Sequence, residues 1–181
     1  MIRIKESVEI NTTPKNLWDF LISLDKDNKF KKWHPKDHIR IRFLRGKMDS
    51  VKTIVYFEEY LGKRRFRFAC RVTKVTKNKH IAFQAIFPIS ALEFGHGYFD
   101  LQQNGKKAKL TIFIEYGHKR VKVDNFAVWF AEKFIVQKKD IELHIKEELE
   151  ILKHFLEEDS RIPFSKKAKI VHDDKILKKT D

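Results

Sequence analysis

Residues Ile2 to Ile10 carry apolar side chains at alternate positions, first in Ile2-Arg3-Ile4-Lys5 and again in Val8-Glu9-Ile10, which predicts a strand with one buried face. Thr12-Thr13-Pro14 follows, a hydroxyl cap with proline at the first helical position, and Leu17, Trp18, Phe20 and Leu21 then recur at helical spacing. A second short helix is predicted over residues 25–32. Trp33-His34-Pro35 closes it, because proline pushes the residue before it out of helical backbone. From Ile39 to Tyr116 the period returns to two, over residues 39–43, 51–60, 65–75, 81–87, 92–101 and 109–116, with turns such as Leu61-Gly62-Lys63 and Gln103-Asn104-Gly105 between them. Residues 124–158 hold no Gly or Pro and repeat apolar side chains every three or four positions, predicting one long helix capped by Asp124 or Asn125.

One strand, two short helices, six strands and a long helix describe an α+β domain over residues 1–158, a curved seven-stranded antiparallel sheet wrapped around the C-terminal helix. Residues 159–181 form a basic tail with little periodicity, expected to contribute little to folding. The chain has 181 residues, enough for one such core, and 16 of them are Phe, more than a small sheet-helix core packs without leaving space. Cys70 is the single cysteine, which excludes an internal disulfide or a Cys-rich zinc module and fits a reducing compartment, so the cytoplasm is the expected location. No apolar run approaches the ~18 residues of a membrane span. The formal net charge is +14, of which Arg161 to Asp181 carry +4. The rest is dispersed over the body, which reads as a solvated Lys-rich surface and sets nucleic-acid binding aside.

The candidate chemistry lies where polar groups fall on the apolar stripe. At roughly 100° per residue, Phe130, Phe134, Ile141, Ile145, Leu152, Phe155 and Leu156 share one sector of the long helix. Glu148 projects into the middle of that sector and His144 to its edge, whereas Glu142, Lys146, Glu150 and Lys153 face away. Four residues apart, His144 and Glu148 stack on one face and can present imidazole and carboxylate to a common ion. An uncompensated carboxylate there would cost several kcal/mol. His34 and His38 lie just before the second strand, and Glu58 and Glu59 lie on the third. Alternation puts Glu59 in phase with Val51, Val55 and Phe57, hence toward the helix. Two His and two Glu make a divalent-metal donor set, best suited to zinc. Phe57, Phe66, Phe68, Phe83 and Ile112 are in phase to line a cavity for a hydrophobic small molecule. The arginines that alternate with Phe66 and Phe68 then face water.

Three phrases sharpen this picture: Trp33-His34-Pro35-Lys36-Asp37-His38, Phe57-Glu58-Glu59-Tyr60-Leu61-Gly62-Lys63 and His144-Ile145-Lys146-Glu147-Glu148. With the order of elements, they resemble the START/Bet v 1-like superfamily, also called SRPBCC or polyketide cyclase/dehydrase and lipid transport, whose helix-grip fold encloses an apolar cavity. Within it, the 2,4-diacetylphloroglucinol hydrolases hold zinc with two His and two Glu, the last pair four apart on the C-terminal helix. The resemblance implies His144 and Glu148 as that pair, with His38 and Glu59 as the first His and Glu and His34 and Glu58 as alternates. Those hydrolases are substantially longer than this chain. The implied activity is metal-assisted hydrolysis of an aromatic or polyketide-like carbonyl compound, with Glu58 or Glu147 as catalytic base and His34 contacting the substrate. The alternative is a non-catalytic carrier of a lipid or hydrophobic metabolite in the same cavity.

Overall fold

The Thr13 hydroxyl accepts a hydrogen bond from the Asn16 amide and Pro14 occupies the first turn, so the helix α1, Pro14–Ile22, starts where the sequence places it. It follows strand β1, Ile2–Ile10, in a computed structural model that describes residues 2–87, 95–116 and 137–161, with Phe87 and the last three as backbone only. Helix α2 spans Asp27–Trp33. Six strands come next: β2 His38–Arg45, β3 Ile54–Leu61, β4 Arg64–Thr76, β5 His80–Phe87, β6 Gly95–Asn104 and β7 Lys107–Tyr116. The long helix, α3, is described over Lys138–Arg161. Its expected cap at Asp124 or Asn125, the positions Phe130 and Phe134, and the tail from residue 162 lie outside the described residues, as do residues 92–94 of the sixth predicted strand.

The seven strands form one antiparallel sheet in the order β1-β7-β6-β5-β4-β3-β2, the helix-grip arrangement. Strands β1 and β2 are neighbours in the chain but occupy opposite edges, and α1 and α2 carry the chain between them. Helix α3 lies across the inner face and touches β1, β3 and α2. Two expectations are corrected. Strand β3 begins at Ile54, not residue 51, because Lys52 adopts a left-handed backbone (φ 68°) and turns the chain, leaving Val51 in solvent. Phe155 is 39% exposed and Leu149 takes a buried place instead. Phe155 packs against the ring of Phe20 of α1, at 5.6 Å.

Gly97 shows how tightly the sheet is packed beneath the aromatic wall. A Cβ there would lie 2.6 Å from the Phe113 carbonyl oxygen and 2.8 Å from the Phe83 ring, so β6 must be bare at this point for Phe83 to lie across it. The α2–β2 turn is pinned from several sides. The Tyr60 amide donates to the Asp37 carbonyl (2.8 Å), and the Trp33 indole N–H donates to the Glu148 carbonyl of α3 (3.1 Å). These bonds set α2, β2, β3 and α3 against one another at a single corner of the fold.

Candidate functional site

Strand alternation turns Val55, Phe57, Glu59 and Leu61 of β3 and Phe66, Phe68, Cys70 and Val72 of β4 to the inner face, where a cavity of about 350 Å³ remains between sheet and helix. All four expected phenylalanines and Ile112 line it, with Ile141 and Ile145 of α3 opposite. Phe57 and Phe68 stack at 5.2 Å. Burial pushes the Cys70 thiol up to about 12, and the Glu59 charge adds to the effect, so this lining group is an inert thiol.

Glu59, His144 and Glu148 close one end of the cavity. Register brings His38 directly opposite Glu59 across β2 and β3, and the i, i+4 spacing brings Glu148 beside His144. The His38 Nε2 atom lies 2.9 Å from Glu148 Oε1 and 3.8 Å from Glu59 Oε2; His144 Nε2 lies 3.6 Å from Glu148 Oε1 and 4.0 Å from Glu59 Oε2. All four side chains are buried. A second buried set, His34, Asp37 and His144, shares the same corner, and within each set of three the candidate ligand atoms lie within 4.8 Å of one another.

Hydrogen bonding on the far side of each ring decides between the two sets. His38 Nδ1 faces the Phe30 carbonyl at 2.9 Å, an acceptor only, so Nδ1 carries the hydrogen and the Nε2 of neutral His38 is a lone pair. His144 Nδ1 likewise faces Asp37 Oδ2 at 3.3 Å, leaving its Nε2 for the cluster. His34 is the reverse: its Nδ1 accepts the Asp37 amide hydrogen at 3.1 Å, so Nε2 bears the proton, with Glu147 Oε2 3.3 Å away but outside hydrogen-bond geometry. Neutral His34 therefore has no lone pair to spare. His38, Glu59 and His144 thus form a group able to hold a metal ion, with Glu148 Oε1 against both histidines and Asp37 behind His144 in the place where a carboxylate orients a metal-binding histidine.

Two lone pairs and two carboxylates aimed at one point repel unless protons or a cation sit among them. The metal-free cluster answers with protons. Burial alone would drive His144 neutral, but the charges of Glu148 and Glu59 and the bond to Asp37 raise it to about 10. Burial alone would raise Glu148, yet His144 and His38 hold it down to about 2. Burial raises Glu59, the carboxyl with the longest contacts. Burial lowers His34, and the neighbouring His144 charge lowers it further, in keeping with its neutral tautomer. A divalent cation could replace the proton on His144 Nε2 without leaving any of the four groups unpartnered.

The remaining expectations divide. His34 is buried beside the cluster and is not among the residues that line the cavity. Glu58, expected as a spare base, is on the opposite face of β3, where Arg65 (2.6 Å) and Arg67 (2.7 Å) bind its carboxylate and Arg67 chiefly lowers its pKa. The cause is its phase, one residue out of step with Glu59. Among the described residues, Glu147 pairs with His34 and Lys36. No periodic signal marks Asp37, although it sits between the two histidines of the Trp33 to His38 phrase. No helix among the described residues is long and apolar enough to cross a membrane.

No family model and no curated protein matches this chain. Solved structures do share its fold. The chain is similar to Ara h 8.0201, at 12% identity and a TM-score of 0.58, over 85% of this chain and 96% of that one. It is similar to the Aha1 dimer protein from Colwellia psychrerythraea, at 18% identity and a TM-score of 0.56, over 87% of this chain and 97% of that one. It also matches the di-domain ARO/CYC BexL of the BE-7585A biosynthetic pathway, at 12% identity and a TM-score of 0.61, covering 90% of this chain and 48% of that one. At these identities the likeness is one of fold, a helix-grip, SRPBCC-like architecture.

Proposed function

We propose that the protein binds a hydrophobic small molecule in the sheet-helix cavity, with the His38, Glu59, His144 and Glu148 cluster as its polar end. The observation that carries this reading is the cavity itself: about 350 Å³, walled by Phe57, Phe66, Phe68 and Phe83, with ionisable groups gathered at one end. A binding or carrier role needs nothing further from the fold. By donor type the cluster suits zinc, held by two imidazole nitrogens and two carboxylates. Three of those four residues line the cavity, which supports the second reading, metal-assisted hydrolysis of a carbonyl compound. A bound divalent ion would there supply Lewis acidity toward a substrate oxygen.

The test uses untagged full-length protein. Native mass spectrometry should show a co-purified or added apolar ligand, and 8-anilinonaphthalene-1-sulfonate should bind saturably at one site. Ala85 lines the cavity, so Ala85→Trp should abolish dye binding while the protein stays folded. Equal dye binding by wild type and Ala85→Trp would refute the cavity as the binding site. Element-specific analysis addresses the ion: protein that stays metal-free after incubation with zinc would leave the carrier reading alone.

A further inference from the structure

The outer face of the sheet gathers what the sequence disperses. On β3 the residues out of phase with the cavity are Tyr56, Glu58 and Tyr60, and the sheet register sets each against an arginine. Arg40, Glu58 and Arg67 lie directly opposite one another across β2, β3 and β4; Tyr56 lies opposite Arg42, and Tyr60 opposite Arg65. Glu58 is almost fully buried, and three guanidiniums converge on its carboxylate: Arg65 at 2.6 Å, Arg67 at 2.7 Å and Arg40 at 3.8 Å. Their own side chains remain 45–58% exposed. The group thus carries two positive charges in excess of its one carboxylate. Arg67 uses its Nε and Arg65 a terminal nitrogen, so each half-exposed guanidinium keeps further N–H donors that these contacts with Glu58 do not use. Tyr60 is 38% exposed beside them.

We propose that this outer face of β2, β3 and β4 binds single-stranded nucleic acid, holding phosphates on Arg40, Arg65 and Arg67 and stacking bases on Tyr56 and Tyr60. Charge complementarity selects a polyanion, and the rings select among polyanions. Tyr56 and Tyr60 are four residues apart on one strand, about 13 Å at ~3.3 Å per residue, with the guanidinium group between them. Aromatic faces alternating with cations suit a ligand that alternates flat bases with phosphates, whereas an acidic peptide or a lipid headgroup uses only the charges. This surface is on the opposite side of the sheet from the cavity and does not depend on what the cavity holds. It also revises the reading of charge as a merely solvated surface, since folding brings arginines from two separate strands around one carboxylate.

The experiment is fluorescence anisotropy with the full chain and a fluorescein-labelled oligothymidine of about 20 nucleotides, at about 50 and 200 mM salt. Wild type should bind at low salt and lose affinity about tenfold or more at the higher salt. Replacing arginines alone would strand a buried Glu58, so the first variant is Arg65→Gln/Arg67→Gln/Glu58→Gln, which lowers the net charge by one. Its control is Lys106→Gln, the same charge change in the exposed turn between β6 and β7. The second variant is Tyr60→Ala, with Tyr60→Phe as the conservative rescue. The triple variant and Tyr60→Ala should each weaken binding about tenfold, with Tyr60→Phe and Lys106→Gln within about twofold of wild type. Absence of binding at low salt would overturn the proposal. So would an equal loss in Lys106→Gln, unchanged binding by Tyr60→Ala, or capture of phosphatidylserine vesicles in preference to the oligonucleotide.

Discussion

Raising the pH is expected to weaken the metal-free protein, and His144 is the group responsible. Its ring is 5% exposed, and burial by itself would strip its proton, yet Glu148, Glu59 and Asp37 hold that proton up to about 10, against 6.5 for an ordinary histidine. A proton held more tightly in the folded chain contributes stability that is complete below the unfolded pKa and is lost as pH climbs toward the folded one. Between about pH 7 and pH 8.5 the folded protein therefore carries nearly one proton more than the unfolded chain. At ~1.4 kcal/mol per pH unit that interval costs about 2 kcal/mol, or about 4–8 °C in Tm for a domain of this size. Glu148, held down to about 2, is the other half of the same attraction and adds nothing further in this range; its share is present above about 4.5 and disappears as pH falls toward 2. The assay is calorimetry in EDTA at the two pH values on wild type and His144→Gln, because the difference between them cancels the titrating groups that do not interact with His144. With excess zinc the slope should flatten toward zero, since the ion takes the proton's place and its apparent affinity, rising by up to about tenfold per pH unit, offsets the loss. An identical EDTA slope in His144→Gln would refute the assignment of that proton to His144.

Asp37→Ala should weaken zinc binding about 10- to 100-fold, measured by competition with a chromogenic chelator, because it frees the Nδ1 side of His144; Asp37→Asn, which keeps an acceptor there, should lose less. Gly97→Ala should cost about 1–3 kcal/mol in a denaturant titration, since the new methyl meets a backbone carbonyl and the Phe83 ring at the same time. Thr13→Ala should cost about 1 kcal/mol in the same titration through loss of the α1 cap, with dye binding in the cavity unchanged.

Much of this protein is a matter of local period, and period is readable in a sequence. Alternation through Phe57 and Glu59 and through Phe66, Phe68 and Cys70 assigns an inner and an outer face to β3 and β4 whatever the rest of the chain does, because successive strand side chains point to opposite sides. The helical spacing of His144 and Glu148 puts both on the stripe that packs against the sheet for the same reason. Period also separates Glu59 from Glu58. It does not separate His38 from His34, and it does not find Asp37, because these residues lie in the turn after α2 and at the first position of β2, where proline interrupts any repeat. Their roles follow from which far-side group each ring meets: the Phe30 carbonyl for His38, the Asp37 carboxylate for His144 and the Asp37 amide for His34. Those encounters exist only after β2 has paired with β3 at the His38 to Glu59 register and α3 has docked on α2 through the Trp33 indole. Residues some 110 positions apart meet there through long-range packing, which no local pattern encodes.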